Sequence, residues 1–226
     1  MIGFEKAMEA GFTHIELDVQ LSRDNIPVVI HDLFLNRTTN GSGLVRTHTL
    51  KQLKKLDAGQ GRKIPTLEEV LTAVKGKAVV NIELKQMGNF YPGLEQKVVE
   101  CVAETGMDSD VLITSFDHYS IQKVNSLQPA LSTGLIVSGV SPFLAAYARS
   151  IGSQWIALNY RYINQQFVEE CRQHQIGVIV WTVDREEEME LMWQQFPDVM
   201  ICTNNLEGAK QVWERIGQGR WYESRM

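Results

Sequence analysis

Residues 14–32 read HIELDVQLSRDNIPVVIHD, two apolar runs joined by a polar, turn-rich LSRDN. That pattern predicts a strand over 14–20 that continues into a hairpin, with the return run over 25–32. Along a strand, residues two apart share a face, so Glu16 and Asp18 emerge side by side. An unpaired carboxylate among apolar neighbours is costly, or else it shifts its pKa to become neutral. A second run, VVNIELK (79–85), sets Glu83 and Lys85 in the same two-residue relation. Three carboxylates against one ammonium leave negative charge uncompensated. A hard divalent cation held by Glu16, Asp18 and Glu83 relieves it, and an all-oxygen donor set selects Mg2+ or Ca2+ over zinc. The plainer reading is a salt-bridge cluster of these acids with Lys85.

His31 closes the return run and is followed by Asp32. The hairpin should bring both back beside Glu16 and Asp18, which makes His31 the candidate general acid or base. The plainer alternative is a hydrogen-bonded core histidine. Lys85, near the end of its strand, is a candidate phosphate contact or a partner of Glu83. Phe116 and Trp181 also sit near strand ends, where a ring can bound a small substrate or simply pack in the core. His14, His48 and His174 read as structural or solvated, and His118 as a weaker site candidate.

Outward from that stretch, β-branched runs recur at 111–116, 132–137, 155–160, 177–183 and 199–204, separated by segments of helical periodicity. The runs are almost continuously apolar, as in strands covered on both faces. Such alternation predicts a parallel sheet in a (β/α)8 barrel, an α/β fold. The chain opens on helical GFEKAMEAG, so the first strand of the barrel is expected to be missing. Segment 33–66 lacks regular pattern and is expected to be a small insertion over the active-site face, within one domain spanning 1–226.

At 226 residues, 44% hydrophobic and 22% charged, the composition is that of an ordinary globular chain able to bury a full core. The net charge of −5 argues against a nucleic-acid footprint. No apolar run reaches membrane-span length and no leader precedes the first helix, so a cytoplasmic protein is expected. Cys101, Cys171 and Cys202 lack paired spacing and are expected to be reduced. Trp221 and Tyr222, beyond the last helix, read as a cap on the barrel or a contact with another subunit.

Taken together, ELDVQLSRDNIPVVIHD (16–32), LNRTTNGSG (35–43), PTLEEVL (65–71), NIELK (81–85), TSF (114–116), VWTVD (180–184) and ICTN (201–204) resemble the glycerophosphodiester phosphodiesterases in order and spacing. The resemblance implies a (β/α)8 barrel with an insertion after the second strand. It also implies hydrolysis of glycerophosphodiesters to sn-glycerol 3-phosphate and an alcohol, with Mg2+ or Ca2+. By it, Glu16, Asp18 and Glu83 would be metal ligands, His31 one of two catalytic histidines and Lys85 a phosphate contact. Family members begin with a strand ending in His-Arg-Gly, then Pro-Glu-Asn-Thr before the first helix. Neither motif occurs here, and Asn204 stands where many relatives have Asp. The expectation is therefore an impaired hydrolase. The alternatives are a non-catalytic relative that binds metal or a glycerophosphoryl ligand as a sensor or partner module, and a barrel aldolase using Lys85 as Schiff base.

Overall fold

The computed structural model describes residues 1–216, which fall into two compact units. The chain opens on α1 (Ile2–Glu9), which belongs to the second unit. The first unit runs from His14 to Thr133. It begins with β1 (His14–Leu21) and β2 (Pro27–Val29), paired antiparallel with Val19 opposite Val29. Asn25 takes the left-handed conformation (φ 59°) that the reversal needs and that asparagine tolerates. Its N–H donates to the Ser22 carbonyl, while the Ser22 hydroxyl donates to Asp24. The predicted hairpin is present, with a return strand shorter than the apolar run.

On its other side β1 pairs in parallel with β3 (Val79–Leu84), which pairs in parallel with β4 (Val111–Ser115). The spatial order in this unit is β2-β1-β3-β4. Leu17, Val19, Ile82 and Leu84 are buried, so their strand neighbours Glu16, Asp18, Glu83 and Lys85 take the opposite face. The β1–β3 register puts Asp18 directly beside Glu83. This register is the step by which two separate motifs become one site.

Segment 33–66 is more ordered than its sequence pattern suggests. It carries a short 3-10 turn and α2 (Leu50–Leu53), whose start is closed by a Thr49–Gln52 capping box. Leu35, Val45, Leu53 and Ile64 pack with Val28 and Ile30 of the hairpin in a small apolar core of their own. Next, α3 (Leu67–Val74) starts at a Thr66–Glu69 capping box and buries Leu67, Val70, Leu71 and Val74 completely. The unit closes with α4 (Leu94–Thr105), stopped by Gly106 at φ 62°, and α5 (His118–Leu127), capped by Asp117.

The second unit holds most of β5 (Ser132–Val137), then α6 (Leu144–Ser150), β6 (Trp155–Asn159), α7 (Gln165–Gln173), β7 (Gly177–Trp181), α8 (Glu186–Gln195), β8 (Met200–Ile201) and α9 (Leu206–Arg215). Its strands are parallel in the order β5-β6-β7-β8. The run 199–204 yields only two strand residues, because Asp184 captures Thr203 and Asn204 in side-chain and backbone hydrogen bonds instead. Cys101, Cys171 and Cys202 are free thiols. Among the described residues no helix is long and apolar enough to cross a membrane. Trp221 and Tyr222 lie outside the described residues.

Candidate active site

Glu16, Asp18 and Glu83 each offer a carboxylate oxygen, and these oxygens all lie within 4.8 Å of one another. Lys85 joins them, its Nζ donating to Asp18 Oδ1 at 2.8 Å and to Glu83 Oε1 at 2.7 Å. The salt-bridge cluster is thus real, yet one ammonium faces three acids. Enclosure by protein, followed by repulsion from Asp18 and Glu83, pushes the Glu16 carboxyl up to about 8 against the pull of Lys85. Water nevertheless reaches Glu16 over much of its surface, which eases the burial penalty and screens the repulsion alike, so the rise is smaller than full enclosure would give. Glu83 is also raised, by burial first, with Lys85 opposing and Asp18 adding. Burial disfavours the Lys85 ammonium, but Asp18 and Glu83 more than offset this and hold its pKa above the ordinary lysine value.

These features fit a divalent cation. The donors are all oxygens, they converge, and their charge is only partly balanced.

His31 arrives beside this cluster because the hairpin returns it. The Ile30 N–H donates to the Asp18 carbonyl at 3.0 Å, tying the residue before His31 to a candidate ligand. His31 Nδ1 lies 2.7 Å from Asp32 Oδ1. Arg37 completes a relay: its Nη2 donates to Asp32 Oδ1 at 2.6 Å and its Nε to Oδ2 at 2.5 Å. These hydrogen bonds, Arg37's before His31's, hold the Asp32 carboxyl well below the usual carboxylate range. An ionised Asp32 accepts from His31 and so assigns the Nδ1–H tautomer or the imidazolium. Arg37 was not legible as a site residue. It sits in NRTTNGSG, which reads as turn chemistry, and only the folded loop shows its fork on Asp32.

A cavity of about 510 Å³ is lined by the polar His31, Asp32, Glu83 and Lys85 together with the apolar Leu33, Phe34, Met87 and Phe116. Phe34, Met87 and Phe116 are all about half exposed, so the cavity offers apolar surface as well as charge. Phe116 directly follows the end of β4. Trp181 ends β7 in the second unit. His118 opens α5, while His14 begins β1, two residues before Glu16.

The class of molecule is now defined. The chain has an α/β, TIM-barrel-like fold that it shares with solved phosphodiesterases. A glycerophosphodiester phosphodiesterase from Agrobacterium tumefaciens matches with TM-score 0.78 and 26% identity, over 92% of this chain and 90% of that one. An Oleispira antarctica phosphodiesterase, solved in complex with the product sn-glycerol-3-phosphate, matches with TM-score 0.82 and 25% identity, over 92% and 88%. The model of the glycerophosphoryl diester phosphodiesterase family matches residues 1–206, and this chain belongs to that family. A glycerophosphodiester phosphodiesterase from Caldanaerobacter subterraneus subsp. tengcongensis is 40% identical over 88% of this chain and 85% of its own length.

Proposed function

We propose that this chain hydrolyses glycerophosphodiesters to sn-glycerol 3-phosphate and an alcohol, at the cavity of the first unit. The observation that carries the proposal is the convergence of Glu16, Asp18 and Glu83 next to a cavity lined by His31 and Lys85. Glu16, Asp18 and Glu83 would hold Mg2+ or Ca2+. When bound, such an ion supplies Lewis-acid stabilisation of the charge that develops on the phosphoryl oxygens.

The chain's own residues account for the rest. Lys85 presents its ammonium at the cavity wall, where it attracts the phosphodiester anion. Asp32, fixed by Arg37, occupies His31 Nδ1, which leaves Nε2 as the nitrogen that exchanges a proton with substrate. In hydrolysis a water molecule loses a proton as its oxygen forms the new P–O bond, and the leaving alkoxide gains one as the old P–O bond breaks. His31 serves one of these transfers. Phe116, with Phe34 and Met87, bounds the non-phosphate part of the substrate and limits water there.

His31 is the one histidine among the residues lining the cavity. A site that relies on one proton carrier where two cooperate works slower by about 10²–10⁴-fold. The test is release of sn-glycerol 3-phosphate from glycerophosphocholine by purified chain 1–226 at high enzyme concentration. The expected result is slow turnover that EDTA abolishes and that Glu83→Gln and His31→Ala both remove. Turnover indifferent to EDTA and to both substitutions would overturn the assignment, as would its complete absence.

A further inference from the structure

The strand that delivers His31 ends too early to hold it. β2 stops at Val29, so the carbonyls of Ile30, His31 and Asp32 lie beyond the strand. All three turn toward a single side chain. Gln20 Nε2, on a fully buried residue of β1, lies 2.8 Å from the Ile30 carbonyl, 3.1 Å from that of His31 and 2.8 Å from that of Asp32. Carbonyls only accept, so the amide nitrogen must face them and the amide oxygen must face away.

That oxygen meets the hydroxyl of Tyr91, which donates to it at 2.6 Å. Burial lifts the Tyr91 phenol to about 12, so it remains a donor throughout the working pH range. Tyr91 is held in turn by Gln86, whose side-chain oxygen accepts the Tyr91 N–H and whose nitrogen donates to the Tyr91 carbonyl, both at 2.9 Å. Gln86 also donates to Glu95, which accepts from Ser120 and Lys123. A buried polar chain therefore runs from α5 and α4, past the residue that follows Lys85, to the backbone that carries His31. Gln20 is its last link, and Tyr91 prevents the amide from turning over.

We propose that Gln20, oriented by Tyr91, is a positioning residue: it clamps the backbone of residues 30–32 and so sets where the His31 ring stands relative to Glu83 and Lys85. This rests on His31 being the proton carrier proposed above. Gln20 touches no substrate and acts only through His31. A displacement of about 1 Å in a reacting group can cost about 10²-fold in rate.

The experiment compares Gln20→Leu and the milder Tyr91→Phe with the parent chain, alone and combined with His31→Ala. It measures kcat and KM for glycerophosphocholine, thermal stabilisation by Mg2+, and the NMR resonances of the His31 ring. The clamp predicts that kcat falls about 10–100-fold in Gln20→Leu and less in Tyr91→Phe, with KM changed less than about twofold. It predicts retained Mg2+ stabilisation, shifted and broadened His31 resonances, and no further loss from Gln20→Leu once His31 is alanine. An unmoved His31 ring in folded Gln20→Leu or Tyr91→Phe overturns the clamp, as does a rate loss that adds to that of His31→Ala. If the parent chain shows no turnover, the function proposed above fails, and the ring resonances still decide the clamp by themselves.

Discussion

Glu16 is the residue whose chemistry most depends on its neighbours. Burial and repulsion from Asp18 and Glu83 raise its folded carboxyl above the ordinary 4.5, so in a window above that value the folded chain keeps a proton that the unfolded chain has released. With more protons on the folded state, stability falls as pH rises through that window, and the contribution vanishes below the ordinary value, where both states are protonated. Glu83 shifts in the same direction, while Asp32 is lowered and acts only at more acid pH. The metal-free chain should therefore be less stable to urea at pH 8 than at pH 5, and Glu16→Gln should flatten much of that slope. Equal slopes in the two proteins would contradict the shift. At the same scale, Asp32→Asn should lower kcat by about 10²-fold or more, because a neutral amide no longer fixes the imidazole tautomer. Arg37→Ala should lower it less, since its guanidinium is largely exposed. Steady-state hydrolysis by the three proteins checks the order, and equal rates for Asp32→Asn and the parent would remove the relay from the mechanism.

Among the elements, the strands were the most legible and segment 33–66 the least. The runs STGLIV and VVNIELK became β5, with its predicted bounds, and β3, one residue shorter than predicted, because β-branched and apolar residues concentrate in them. The residues after β2 show no such period, and α2 is too short to display one. What orders that segment is a cluster of scattered leucines, valines and isoleucines against Val28 and Ile30, a set that only tertiary structure assembles. Leu53 is completely buried there. Leu53→Ala should cost about 2–5 kcal/mol of stability in denaturant unfolding. A loss below about 0.5 kcal/mol would show that this cluster does not hold the hairpin.

For the molecule as a whole, the acids were visible in sequence because period-two spacing exposes them: Glu16 with Asp18, and Glu83 with Lys85. Their meeting depends on the β1–β3 register, which no local pattern encodes. Arg37 and the Gln20–Tyr91 link were invisible for the same reason, since each acts on backbone or side chains that folding alone brings near. Calorimetric titration of Ca2+ and Mg2+ into the EDTA-stripped chain, beside Glu83→Gln, puts the shared-ion geometry to its most direct test. The account predicts that a single ion binds per chain, with protons released on binding at pH 7, and that Glu83→Gln abolishes the heat. Binding of equal stoichiometry and affinity in both proteins, or none in the parent, would contradict it.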